Sequence, residues 1–280
     1  MDNVNNTALI VQGMQLDAHQ SKIVHWLSAS DPSVNHLKAL EKRHEGTGLW
    51  FIQSQAFRDW KNQSKSFLWL HGIPGCGKTI LTSTIVEHIK DNVAPDHALL
   101  YFYFDFNDFD FNDSNKQTFE NLLRSFVNQL YRTQPDTRSY VDQLWKAHHK
   151  GNQSLSRQSL GTVLLAMLSK VSNFSIVLDA LDEASSRSDL LTWLESLLEK
   201  EFSACRILVT ARREQDIESA LQLWTQPENR IDIQGDDVDR DIKAYVNHTV
   251  RKSTELERWQ NRPDVQNEIE LELTEKASGM

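Results

Sequence analysis

One stretch narrows the possible folds more than any other: Phe67-Leu68-Trp69-Leu70-His71-Gly72-Ile73-Pro74-Gly75-Cys76-Gly77-Lys78-Thr79. From Gly72 to Thr79 it fits G-x-x-x-x-G-K-[ST], the pattern of a loop that cradles phosphate. A phosphate chain needs many donors brought close, and backbone comes close only where side chains are missing. Gly72, Gly75 and Gly77 provide that, and they are three of only 10 glycines in the chain. Their amides form an anion-holding nest at a helix N-terminus, where the helix dipole also favours negative charge. Lys78 is a mobile cation able to reach β- and γ-phosphates. The Thr79 hydroxyl is an oxygen donor of the kind Mg²⁺ takes.

The flanks fit the same reading. Phe67 to Leu70 is a continuous apolar run, as expected of a parallel strand covered on both faces. After the loop, Ile80, Leu81, Thr84, Ile85, His88 and Ile89 recur at helical spacing. The predicted order is strand, glycine loop, helix. The nucleotide-contacting stretch is Gly72, Pro74, Gly75, Cys76, Gly77, Lys78, Thr79 and Ile80.

Further along, Phe174 to Leu178 is apolar and ends in Asp179-Ala180-Leu181-Asp182-Glu183. A second buried strand next to the phosphate loop delivers such an acid to the site. Asp179 is placed to hold Mg²⁺, and either Asp182 or Glu183 to orient or deprotonate an attacking water. Cys205 to Thr210 forms another apolar strand, ending in Ala211-Arg212-Arg213. A basic residue there can sense a γ-phosphate, with Arg212 ahead of Arg213. Ala98–Phe104 and Ile231–Ile233 read as further strands, and 105–115 as a polar surface loop.

The rest of the chain is mostly helical. Leu16, Ile23, Val24 and Leu27 share one helical face. After a break at Asp31-Pro32-Ser33, a charged helix runs to Glu45. Ser54 caps a short helix carrying Phe57 and Trp60. Phe119 to Leu130 carries a strong apolar stripe. Another helix runs from Pro135 to about Gly151, and one more carries Leu160 to Val171. Helices resume at Asp236 and continue past Leu273.

Composition excludes several classes. A net charge of −9 argues against a nucleic-acid surface spread over the protein. The two cysteines, Cys76 and Cys205, make no disulfide framework and suit a reducing, cytoplasmic setting. No apolar run reaches membrane-span length, the N-terminus lacks a signal-peptide pattern, and the 10 histidines show no metal-ligand spacing.

Together these pieces resemble a NACHT-type P-loop NTPase of the STAND class, as in fungal NLR-like proteins and the N-terminal domain of nephrocystin 3. The resemblance rests on Gly46-Thr47-Gly48-Leu49-Trp50, the stretch Trp69–Thr79, Tyr101–Phe106, Leu178–Glu183 and Leu208–Glu214. It implies an α/β fold with a five-stranded parallel sheet in the order 2-3-4-1-5, flanked by helices, and a partial C-terminal helical segment. It implies an N-terminal helical arm over 1–45, a NACHT core over 46–234, and from 235 to 280 the start of a helical relay that stops in mid-helix. It assigns Walker A roles to Lys78 and Thr79, the Walker B role to Asp179 and a sensor role to Arg212, and it sets Gly46 and Thr47 near the base or ribose. The implied cofactors are ATP or ADP, with GTP also open, and Mg²⁺. The implied partners are its own copies or further domains of a longer NLR-like protein. The implied activity is slow hydrolysis controlling oligomerisation; the alternative is an assembly module that holds nucleotide without turnover. A near match to N-K-x-D at Asn115-Lys116-Gln117-Thr118 lacks the Asp that reads guanine and lies too early.

Overall fold

The computed structural model describes residues 18–92, 94, 96–104, 117–252 and 254–278. The expected loop 105–115 and Leu16 lie outside these residues. The described order begins with α1 (18–27), α2 (Ser33–Lys42), α3 (Leu49–Ile52) and α4 (Gln55–Asn62), followed by β1 (Lys65–His71), α5 (Lys78–Asn92) and β2 (His97–Tyr103). It continues with α6 (Phe119–Thr133), α7 (Arg138–Ala147), α8 (Arg157–Leu168), β3 (Asn173–Asp179), α9 (Arg187–Glu199) and β4 (Ala204–Ala211). It ends with α10 (Gln215–Trp224), β5 (Arg230–Asp232), α11 (Asp236–Lys252) and α12 (Pro263–Ser278).

The strands form one parallel sheet in the order β2-β3-β4-β1-β5, the order the resemblance implied. Successive side chains on a strand point to opposite faces, and the apolar runs therefore feed two cores. Phe67, Trp69, Ile176, Leu178, Ile207 and Val209 face a core built with α6, α8, α9 and α10. Leu68, Leu70, Val177 and Leu208 face a second core with α3, α4 and α5. Layers on both faces explain why these strands read as unbroken hydrophobic runs instead of alternating ones.

Element ends differ by a few residues from the reading of the sequence. The helix predicted to reach Glu45 stops at Lys42, because Arg43 turns extended and the chain then folds back with Thr47 N–H donating to the His44 carbonyl. The single helix expected from Pro135 to Gly151 is divided. Pro135–Thr137 is a 3₁₀ turn, and the α-helix proper ends at Ala147, before a kink where Lys150 takes φ 56°. Ser54 caps α4 as expected, accepting from the Phe57 N–H. Ile23 and Leu27 of α1 are fully buried in the first core. The N-terminal helices thus pack directly on the sheet domain.

Candidate functional site

The site is built at the C-terminal ends of β1, β3 and β4, where a parallel sheet opens its ligand crevice. Gly75 and Gly77 take φ 82° and 88°, which side-chain-bearing residues adopt only with strain. Gly72 is required for a different reason: a Cβ there would lie 2.6 Å from Cys76 Sγ and 3.3 Å from the Ile233 side chain. The loop runs straight into α5, with Leu81 N–H donating to the Gly77 carbonyl. The Lys78 ammonium lies over the loop and donates to the Gly72 and Ile73 carbonyls, both at 2.8 Å. Burial pushes the Cys76 thiol up, with Lys78 beside it acting the other way.

Asp179 ends β3 and is buried, at 2% exposure. Its carboxylate accepts from Thr79 Oγ1 at 2.7 Å, Thr82 Oγ1 at 2.9 Å and Thr210 Oγ1 at 2.6 Å. Burial pushes this carboxyl above its ordinary range, while the three hydroxyls and Lys78 oppose that. The Thr210 hydroxyl in turn accepts from the Ala180 N–H at 3.0 Å. That bond fixes Ala180 in the left-handed region, φ 56°, a conformation a non-glycine residue holds only where its surroundings enforce it. The turn swings Leu181-Asp182-Glu183 back across the end of β4 as a short 3₁₀ segment.

There Asp182, 3% exposed, accepts the Arg212 backbone N–H at 2.9 Å and pairs with its guanidinium at 3.2 Å. Glu183 lies 3.9 Å from the same guanidinium. Arg213 points elsewhere and pairs with Glu218 at 2.6 Å. The structure therefore joins Thr79 to Asp179, and Arg212 to Asp182 and Glu183.

Beside the loop lies a mostly apolar cleft of about 250 Å³. Gly75, Cys76, Gly77 and Ile80 form one wall, and Thr47 belongs to another, while Gly46 is not part of the lining. Pro74 borders an adjoining hollow. Lys42, His44 and three further segments add to the lining, and sequence reasoning gave none of them a site role. Trp50 comes from α3, Ile233 follows β5, and Val238, Asp241 and Tyr245 come from α11. Asp241 accepts the Gly48 N–H at 2.8 Å, which ties α11 to the turn before α3. Trp50 lies two residues after the Gly-Thr-Gly turn, at the end of the Gly46–Trp50 stretch that carried the resemblance, and that was its available signal; Asp241 sits in an acidic run with none.

Thr79 and Asp179 place two oxygen donors side by side, a set that fits Mg²⁺. Among the described residues there is no grouping of three or more His, Cys, Asp or Glu able to hold a metal. Among them too, no helix is long and apolar enough to cross a membrane.

A glycine loop leaving β1, between β4 and β5 of a 2-3-4-1-5 parallel sheet, with a strand-end acid bonded to the loop's threonine, defines a P-loop NTPase fold. Residues 46–212 match the family described as Nephrocystin 3, N-terminal, and the chain belongs to that family. It is 23% identical over 209 residues to the vegetative incompatibility protein HET-E-1 of Podospora anserina, covering 72% of this chain but only 15% of that protein. Both findings agree with the NACHT-type resemblance drawn from the motifs.

Among solved structures, Cdc6p from Pyrobaculum aerophilum aligns with a TM-score of 0.43 at 15% identity, over 81% of this chain and 59% of that one. The Orc1 protein of Aeropyrum pernix, solved with DNA, aligns at 0.42 and 14% identity, over 73% of this chain and 48% of that one. At such scores the strand order and the loop, not these alignments, carry the fold assignment.

Proposed function

We propose that this chain is a nucleotide-dependent switch that binds Mg-ATP or Mg-GTP and hydrolyses it slowly to control self-association within a longer NLR-like protein. The observation that carries this reading is the 2.7 Å bond between Thr79 and Asp179, residues from two motifs 100 positions apart. The loop amides and Lys78 take the phosphates, and Gly72, Pro74, Cys76 and Ile80 shape the path beside them. Thr79 and Asp179 hold Mg²⁺, which when bound neutralises phosphate charge. The cleft beside Thr47 and Trp50 takes the base and ribose, with Gly46 positioning that turn. Arg212 senses the γ-phosphate, and Glu183 or Asp182 orients the attacking water. Signalling of the incompatibility type fits the relationship to HET-E-1 and a cytoplasmic setting.

A second reading, a module that holds nucleotide with little turnover, is favoured by one observation. Both Asp182 oxygens are already engaged with Arg212, one by its N–H and one by its guanidinium, so neither acid nor sensor is poised for chemistry until that pair opens.

The test is thermal unfolding with ADP, ATP, GDP and GTP, each with Mg²⁺, for wild type and Lys78→Ala. Ligand at about a hundred times its dissociation constant stabilises by about 2.7 kcal/mol. A shift with one base that Lys78→Ala removes supports the site and names the base. No shift with any nucleotide, in folded protein free of bound ligand, sinks both readings. Turnover well above about one per minute, abolished by Lys78→Ala, would exclude the second.

A further inference from the structure

The end of the sheet away from the phosphate loop carries a second polar cluster. On the face packed by α4 and α5, register sets Ser66 of β1 beside Arg206 of β4, and Arg206 beside Ser175 of β3. The next residues on this face, Leu68, Leu208 and Val177, are apolar and buried. Strands covered on both faces normally stay apolar throughout, so three polar residues in register are an exception. Two are internally satisfied: Ser66 donates to the Trp60 carbonyl at 2.7 Å, and Ser175 Oγ lies 3.0 Å from His97 Nε2.

Arg206 is not satisfied in the same way. Its Nε donates to the Gln63 carbonyl at 3.0 Å, and among the described residues its terminal amino groups meet no carboxylate. Burial pulls its guanidinium down from its ordinary value, with the Cys205 thiol acting the other way. A half-buried guanidinium without an anion is costly to keep. Lys61, in the last turn of α4, also makes no ion pair among the described residues. Both cations border one cleft of about 230 Å³, walled also by Trp60, Asn173, Ser175 and His97. Their fields meet there: burial first, then Arg206 and Lys61, hold the His97 imidazole below its usual value, against exposed Asp96. In a chain of net charge −9, two unpaired cations at one recess are out of character.

We propose that this recess is an oxyanion site that takes the phosphate group of a small molecule. The Arg206 fork binds two oxygens, as guanidinium does with phosphate, and Lys61 supplies a point charge at the mouth. Asn173 and the Ser175–His97 pair form the polar floor and wall. The volume lies below the roughly 300–1,000 Å³ of drug-sized pockets, so the ligand is small. The site stands apart from the nucleotide reading and does not depend on it.

The experiment follows the ³¹P line width of inorganic phosphate titrated with Lys78→Ala protein, with ionic strength held by chloride. The Lys78→Ala background weakens the P-loop as a competing site. Line broadening is expected to persist there, to vanish in Lys78→Ala/Arg206→Gln, and to need about tenfold more protein in Lys78→Ala/Lys61→Gln. Acetate, a carboxylate, is expected to displace phosphate only weakly. Broadening that disappears with Lys78→Ala alone places the phosphate in the loop and overturns the proposal, as does broadening indifferent to both basic substitutions. Should circular dichroism show that Arg206→Gln does not fold, Lys61→Gln, at the end of a helix, decides alone.

Discussion

One face of the sheet is polar at both ends and apolar between them, and the two ends treat their polar groups differently. At the C-terminal end, Asp179 and Thr210 sit in register beyond Val177 and Leu208. Every bond there is short and internal: three hydroxyls point at one buried carboxylate, and Thr210 spans two strands. At the N-terminal end, Ser66, Arg206 and Ser175 form the matching row, but the charge is positive, and the guanidinium's remaining donors face a cleft. At the Asp179 end burial still holds the carboxyl above its ordinary range, but three hydroxyl donors and Lys78 offset part of that cost, so its partners are already in place. A half-buried cation with one carbonyl partner relies on solvent or a ligand. The first end is preorganised, and the second is incomplete by itself.

The largest expected effect tests the preorganised end. Thr210→Val keeps the shape but removes the hydroxyl, leaving the buried Asp179 carboxylate one donor short and the Ala180 N–H without its acceptor. Each orphaned group costs about 1–3 kcal/mol, so a loss of about 2–3 kcal/mol is expected in urea unfolding. At the other end Ser175→Ala removes one bond to the half-buried His97, and about 1 kcal/mol is expected. Equal losses at the two ends would break the contrast.

How much of this was legible depended on distance along the chain. The glycine loop is a run of eight residues from Gly72 to Thr79, so its whole pattern, and with it the fold it implies, could be read from one short stretch. Asp179 was readable because an apolar run ended in an acid. The strand order came only through the family resemblance. Apart from the loop's own residues, the cleft was legible only at Thr47, which the resemblance set near the base or ribose; Trp50, Ile233 and Asp241 meet only after β5 and α11 fold back over the loop, and no sequence pattern links the three. The row Ser66–Arg206–Ser175 was equally hidden: each residue is a polar position near the start of a mostly apolar strand, and only register lines them up. The Asp182–Arg212 pair was half legible, since both residues were singled out but their mutual engagement depends on the left-handed turn at Ala180.

That turn gives a smaller prediction. Ala180 at φ 56° carries a cost of about 1 kcal/mol that glycine avoids, while glycine's greater unfolded freedom takes back about 0.5–1 kcal/mol. Ala180→Gly is therefore expected to leave stability within about 0.5 kcal/mol of wild type, on the stabilising side. A loss above about 1 kcal/mol would mean that the alanine methyl, not the backbone angle, holds the Asp182–Arg212 turn in place.

The smallest effect is a drift of stability with pH, and it separates the two ends once more. His36, buried near the Asp179 end, has Nδ1 2.8 Å from the Tyr103 hydroxyl and Nε2 2.7 Å from the Glu87 carboxylate. A carboxylate only accepts, so Nε2 carries the proton and Nδ1 accepts from Tyr103, which satisfies the neutral ring. Burial is the main cause holding His36 low, as it is for His97 at the other end, where Arg206 adds to it. Unfolded histidine takes its proton near pH 6.5. Below that value, and down to the lower folded values, the unfolded chain binds more protons, so stability present above about pH 7 falls as the pH drops. Thermal unfolding from pH 7.5 to 5.0 is expected to show this fall, and His36→Gln and His97→Gln are each expected to flatten part of it. Phosphate discriminates between them. Bound beside His97, the anion favours the imidazolium there and removes that histidine's share of the acid slope, while the share of His36, enclosed by Tyr103 and Glu87, stays. A slope that phosphate leaves untouched in Lys78→Ala protein would mean that the two ends differ in charge but not in the capacity to bind.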